Sequence, residues 1–234
     1  MYVFFISKGR IAWFLMIILL LIMGFVFCSY FVNKTQPTIN PIFMGDTQEK
    51  AVAFMFNVDW GEEILPDLLE VLKEEKVTAT FFISGKFAKK FPQLVANIAE
   101  NGHEIGNHGY SHPHPDKLSV EQNMKEITDT EKVFQEIKIN SAKIFAPPYG
   151  EHGQSVLKAA DSLGYKTIMW TLDTIDWQDP TPEVILNRIL PKVDHGSLIL
   201  MHPKSCTLQA LPGLIKSLRD QDYQFKKVTE IIKS

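Results

Sequence analysis

Only two cysteines, Cys28 and Cys206, occur in 234 residues, too few for a disulfide framework. Cys28 also sits in an apolar segment, which argues against a bridge between the pair. Neither sign of charge dominates. The 24 basic and 27 acidic residues leave a net charge of -3, with no long run of like charge, so nothing in the electrostatics calls for nucleic acid. Internal repeats and low-complexity tracts are missing as well. The length allows one sizeable domain plus a short addition.

One stretch lacks charge altogether. Ile11 to Val32 contains no acidic or basic residue, and at about 1.5 Å per residue it is long enough for a hydrocarbon core of about 30 Å. Lys8 and Arg10 precede it, which keeps that end in the cytoplasm. A cleaved signal peptide would end in a small-x-small site, and Phe27-Cys28-Ser29-Tyr30 offers none. A lipoprotein signal is unsuited too, because Phe27 stands where a small residue is wanted. The expected layout is a cytoplasmic N-terminus (1–10), an uncleaved transmembrane helix (11–32), a linker with Pro37 and Pro41 (33–50), and a folded domain (51–234). The domain is expected on the extracytoplasmic side of the cell membrane.

From Ala51 onward, strand-like runs alternate with helical patterns. AVAFMFNVD (51–59) reads as a strand, and Ile64, Leu65, Leu68, Leu69 and Leu72 line one face of a helix over 62–76. Further strands are expected at 79–84, 103–108, 143–148, 166–173 and 196–202, with a last one at 223–228. Helices are expected at 86–101, 119–137, 153–163, 182–193 and 208–219. Ser119-Val120-Glu121-Gln122 has the form of a capping box. Six or seven such units imply an α/β fold with a parallel sheet buried on both faces. The chain is short for an eightfold barrel of about 250 residues, so a reduced or distorted barrel comes first and an open, doubly wound sheet second.

Chemistry-bearing residues gather at one end of these strands. Asn57, Asp59 and Trp60 follow the first, and His108 and His112 the third. Pro147, Pro148, Tyr149 and Gly150 follow the fourth, Asp173, Asp176 and Trp177 the fifth, and His202 the sixth. In a barrel those ends converge on one rim. Four of the seven histidines fall in HEIGNHGYSHPHP (103–115), and His108 and His112 are spaced so that both imidazoles reach one ion if the chain turns between them. Asp59, His108 and His112 make three protein ligands with one position open, the pattern of a catalytic zinc site, where bound water becomes a nucleophile. His202 is expected to protonate the leaving group, with Asp176 or Asp173 orienting its imidazole. The backbone N–H of Tyr149 is expected at the oxyanion. Trp60, Tyr149 and Trp177 offer flat apolar faces that suit a sugar ring. His103, His114, His152 and His195 are read as ordinary structural or surface histidines.

These motifs resemble the polysaccharide deacetylases, metal-dependent carbohydrate esterases that remove N-acetyl groups from chitin-like or peptidoglycan sugars. FNVDWG (56–61) is similar to the first motif of that family, and HGYSH (108–112) to its metal-binding second motif. APPY (146–149), DTIDW (173–177) and LMH (200–202) resemble the third, fourth and fifth. The resemblance covers about 51–232 and looks closest to the membrane-anchored branch linked to sporulation. It implies a distorted (β/α)7 barrel, a divalent metal (Zn2+ first, with Co2+, Fe2+ or Mn2+ as alternatives), and a cell-wall polysaccharide substrate. Two positions depart from the pattern. The family's catalytic base is Asn57 here, and the arginine that pairs with it is Ala146. Asp59 lies one residue beyond the usual ligand position, which Val58 occupies. Because side chains alternate along a strand, Asn57 and Asp59 are expected on one face. Asn57 then becomes a substrate contact, and Asp59 either the third ligand or a substitute base. A catalytically weak glycan-binding protein on the same fold is the alternative function.

Overall fold

A computed structural model describes residues 8–34 and 39–232. It divides into two compact units, residues 1–38 and 39–234. In the first unit a single helix, α1, runs Lys8–Lys34. Its side chains are described for residues 12–27, where Trp13, Phe14 and Leu21 are among many exposed apolar groups. Among the described residues no helix is long and apolar enough to cross a membrane. The expected span, 11–32, extends beyond the described side chains at both ends, and Cys28 and part of the cytoplasmic N-terminus lie outside them.

The second unit is built on parallel strands. In chain order the elements are β1 (Ala51–Val58), α2 (Leu65–Glu74), β2 (Thr80–Ile83), α3 (Gly85–Lys90), α4 (Pro92–Glu100), β3 (Glu104–Asn107), α5 (Val120–Glu136), β4 (Ile144–Phe145) and α6 (Gln154–Ser162). There follow β5 (Lys166–Thr167), β6 (Leu172–Asp173), α7 (Pro182–Ile189), β7 (Ser197–Met201), α8 (Ser205–Arg219), β8 (Gln224–Phe225) and α9 (Val228–Ile231). Strand order is β5-β4-β3-β2-β1-β7-β6, with β8 pairing β1. This is the parallel α/β architecture expected, of the (β/α)7 kind.

Strand β1 shows why the sequence folds this way. Its eight residues are all buried, as a strand covered on both faces requires. Val52, Phe54, Phe56 and Val58 face outward into the layer formed with α2 and α8, against Leu65, Leu68 and Leu214. Ala51, Ala53 and Met55 face inward, with Phe82, Ile144, Leu198 and Leu200. Each fully buried phenylalanine in these layers contributes about 1.5–3 kcal/mol relative to exposure. The inward series continues to Asn57 and then Asp59, so the alternation carries both onto the interior face above the core.

Two elements differ from the sequence expectation. The helix expected over 86–101 is two, because Pro92 lacks an N–H and disfavours helical geometry at Phe91, whose φ and ψ are -127° and 56°. The strand expected at 166–173 also breaks. Its first residues hydrogen-bond β4 and its last ones β7, so one stretch of chain joins the two edges of the sheet. The linker expected over 33–50 belongs to the folded unit from residue 39. Ile42 donates its N–H to Thr167 O and accepts from Met169 N–H, and Gly45 N–H donates to Gly196 O. Thr171 Oγ1 donates to Phe43 O at 2.6 Å. These residues therefore lie across the seam between the edges. The capping box at Ser119 and Gln122 forms as expected.

The opposite end of the barrel is closed by α9, whose Val228 and Ile231 enter the interior core. Val228 N–H donates to Thr80 Oγ1, which donates to Glu104 Oε2 at 2.8 Å. The hydroxyl of Thr229 donates to the same carboxylate. Nearby, buried His103 accepts from Ala79 N–H at 3.1 Å, with Phe81 edge-on at 5.1 Å. Burial, and then the charge of Lys227, lower its pKa to about 4. In the unfolded chain the imidazole takes up a proton near pH 6.5, whereas in the folded chain it does so only near 4. Stability present above pH 6.5 should therefore be lost progressively as pH falls toward 4. His103→Gln, whose amide oxygen still accepts from Ala79, should make that fall shallower in chemical denaturation at stepped pH. An unchanged slope would remove His103 from the acid sensitivity.

Candidate active site

A cavity of about 470 Å³ opens where the strands end, lined by Asn57, Asp59, Trp60, His108, His112, Tyr149, Trp177 and His202, and by Gly150, Trp170, Asp173 and Leu200. Every site residue expected from sequence lines it except Asp176, which is fully buried behind His202.

His202 follows β7, and Asp176 belongs to a short turn after β6. Asp176 Oδ1 lies 2.7 Å from His202 Nδ1, and its Oδ2 accepts from His202 N–H at 2.6 Å and from Thr207 Oγ1 at 2.6 Å. A carboxylate that accepts at Oδ1 fixes the proton on Nδ1 and leaves Nε2 as the nitrogen free to exchange one. Trp60 stacks on the His202 ring at 5.9 Å and 13°, and Lys204 Nζ lies 5.6 Å from the Trp60 ring while pairing with Asp179. Of the two aspartates proposed to orient His202, Asp176 does so. Asp173 instead accepts from Ile175 N–H at 2.8 Å, and burial raises its pKa.

His108 is set at the end of β3, where its N–H donates to Ile83 O. Its Nδ1 lies 2.7 Å from Ala146 O. A carbonyl only accepts, so Nδ1 carries the proton and Nε2 offers a lone pair. Burial lowers the pKa of His108 to about 3, helped by His112 and His202 and opposed by the bond to Ala146. Burial likewise lowers that of His112, against the raising effect of Asp59. The two rings are 5.0 Å apart at 64°. Neutral imidazoles with a tautomer fixed by a backbone carbonyl are the form in which histidine binds a divalent metal, so this pair suits two ligand positions. Asp59 lines the same cavity, and its charge reaches His112. Among the described residues, however, no three His, Cys, Asp or Glu side chains are grouped so that they could hold an ion together. The expected Asp59-His108-His112 set is therefore a pair of imidazoles with a carboxylate beside it.

Asn57 is 7 % exposed, and its Oδ1 has no hydrogen-bond partner among the described residues. Tyr149 stands in the left-handed region at φ 58°, its ring stacked on His114 at 4.1 Å and edge-on to His112 at 4.7 Å. His114, read from sequence as ordinary, does not line the cavity but backs the Tyr149 ring, and its Nδ1 pairs with Glu151 at 2.7 Å. Trp170 was missed because it falls inside a run that reads as one strand. The break between β5 and β6 turns it toward the cavity, where a side chain at Gly150 would meet its ring at 2.5 Å. His152 and His195 line no part of the cavity.

Removing the Asp176 carboxylate would leave the buried N–H groups of His202 and the Thr207 hydroxyl without an acceptor. Asp176→Ala should cost about 3–5 kcal/mol of stability in urea denaturation, and Asp176→Asn, which keeps one oxygen, less. Equal losses would mean that the carboxylate acts by volume alone.

The family model for polysaccharide deacetylases matches residues 44–168. Uncharacterized protein YlxY of Bacillus subtilis is 39% identical over 204 residues, which cover 87% of this chain and 63% of that protein. A peptidoglycan-N-acetylglucosamine deacetylase of Bacillus cereus is 34% identical over 188 residues, covering 78% of this chain and 68% of its own. Among solved structures, wild-type BA3943 of Bacillus anthracis, described as a CE4 family pseudoenzyme, superposes with a TM-score of 0.81 at 38% identity, covering 84% of this chain and 70% of that one. A mutant of BA3943 is described as having restored enzymatic activity.

Proposed function

The chain belongs to the polysaccharide deacetylase family, hydrolases of carbon–nitrogen bonds other than peptide bonds, and from that membership we propose that its cavity takes an N-acetylated cell-wall glycan and hydrolyses the acetamide. The observation that carries this reading is His202, which is held from behind by buried Asp176 and opens on the same cavity as His108 and His112.

His108 and His112 would hold a divalent metal, Zn2+ first, with Asp59 beside them. When bound, such an ion polarises a carbonyl oxygen and acidifies water. Water adds to the acetamide carbon, the C–N bond breaks, and acetate and a sugar amine leave. Asp59 is the carboxylate on the cavity face suited to take the water's proton, since the amide of Asn57 cannot. His202 Nε2 gives a proton to the departing nitrogen, while Asp176 keeps the ring aligned. The Tyr149 N–H is assigned to the oxyanion, and Trp60, Tyr149 and Trp177 to the faces of the sugar. Residues 11–32 would anchor the chain in the cell membrane with this domain on the extracytoplasmic side, a reading supported by the uncharged run and by Lys8 and Arg10 before it.

A second reading, a glycan-binding protein with little or no turnover, is favoured by an amide, Asn57, in the base position, its buried Oδ1 without a partner among the described residues, and by the likeness to BA3943. Acetate release from N-acetylglucosamine oligomers and peptidoglycan, measured with added Zn2+, separates the two. The first reading expects turnover that falls at least about 100-fold in His202→Ala and is lost in Asp59→Asn. An inert wild-type chain that gains activity in Asn57→Asp decides for the second.

A further inference from the structure

The turn between the two imidazoles is held by a residue outside every motif, Glu126. Two successive backbone N–H groups, those of Tyr110 and Ser111, point at one oxygen, an arrangement that suits an anionic acceptor. Gly109 N–H donates to Asn107 Oδ1 at 2.8 Å. Tyr110 and Ser111 N–H donate to Glu126 Oε2 at 2.9 and 2.7 Å, and the Ser111 hydroxyl donates to Glu126 Oε1 at 2.9 Å. The chain's own carboxylate therefore takes the Tyr110 and Ser111 N–H groups and the Ser111 hydroxyl. Asn107 is fully buried and donates through Nδ2 to Ile127 O at 2.9 Å, so both acceptors are fixed to α5. On the other side of the turn, Gly109 O and Tyr110 O accept from Gly85 and Lys86 N–H.

This clamp bears directly on the imidazole pair. The chain leaves His108 through Gly109 at φ +77° and reaches His112 at φ +55°. A non-glycine residue keeps such a φ only where its surroundings over-determine it, and the three bonds to Glu126 end one residue before it. We infer that Glu126 is the positioning residue of the metal pair: its carboxylate fixes the turn that points the His112 ring toward His108, and so sets the affinity for a divalent cation. The inference rests on reading His108 and His112 as metal ligands, and it concerns a side chain that touches neither metal nor substrate.

The test titrates the full chain, stripped with chelator, with Zn2+ alone by calorimetry, and follows amide exchange at Tyr110 and Ser111 by NMR. Glu126→Ala should weaken zinc binding by roughly 10–100-fold, as loss of a supporting partner does at metal sites, and should speed exchange at both amides. Glu126→Gln, which retains one accepting oxygen, should recover most of the affinity. Val133→Ala, a core truncation elsewhere on α5, should lower the melting temperature while leaving affinity and exchange unchanged. Wild-type affinity in Glu126→Ala, or an equal loss in Val133→Ala, overturns the assignment. Should the wild-type chain bind no zinc, the metal reading fails separately. The positioning role then stands if Glu126→Ala loses both the amide protection and the His112–Tyr149 ring contact, and falls if it keeps them.

Discussion

A parallel sheet rolled until both faces are covered leaves few places for an ionisable side chain to be solvated or paired, and the carboxyl ends of its strands are the main one. Most other features of the site follow from that constraint. In β1 the interior positions are Ala51, Ala53 and Met55, then Asn57 one residue before the strand's end and Asp59 just beyond it. The same holds for β3, which is buried throughout before it delivers His108, and for β7, which delivers His202 after five buried residues. Asp176 is the exception that was worth most to read. It is an aspartate with no exposed surface, tolerated because three donors from His202 and Thr207 converge on its two oxygens. An aspartate so fully occupied orients the imidazole without meeting substrate itself.

The parts of the site that were legible from sequence depend on the strand period of two and on residue type. Alternation was enough to place Asn57 and Asp59 on one face and Val58 on the other, and the turn-forming Gly109 marked the loop between the histidines. Pairings made across space left no such trace. Nothing in the sequence links Ser111 to Glu126 or His114 to Tyr149, since those contacts depend on where α5 and the loop after β4 come to rest. Trp170 was hidden by a different cause. The run KTIMWTLD has uniform strand character, and only the need to bridge two sheet edges breaks it. Pro92 did carry a local signal, and the helix pattern around it masked the break.

The two substitutions at the rim differ in what they leave behind. Ala146 has lost a long cationic side chain relative to the family pattern, but its backbone oxygen still receives the His108 proton and fixes the tautomer. The tautomer of His108 is therefore independent of that side chain. Asn57 has no such compensation, since its buried Oδ1 meets no hydrogen-bond partner among the described residues.

The floor of the barrel has a consequence for how the molecule is made. The interior core is completed by Val228 and Ile231, and the central strand pairs with partners from residue 80 to residue 225. Contacts so distant along the chain make assembly slow. The floor, moreover, is made only after every strand it covers. Until α9 forms, the inward faces of the early strands have no cover at one end, so a nascent chain stalled before α9 would present an open apolar tube to chaperones.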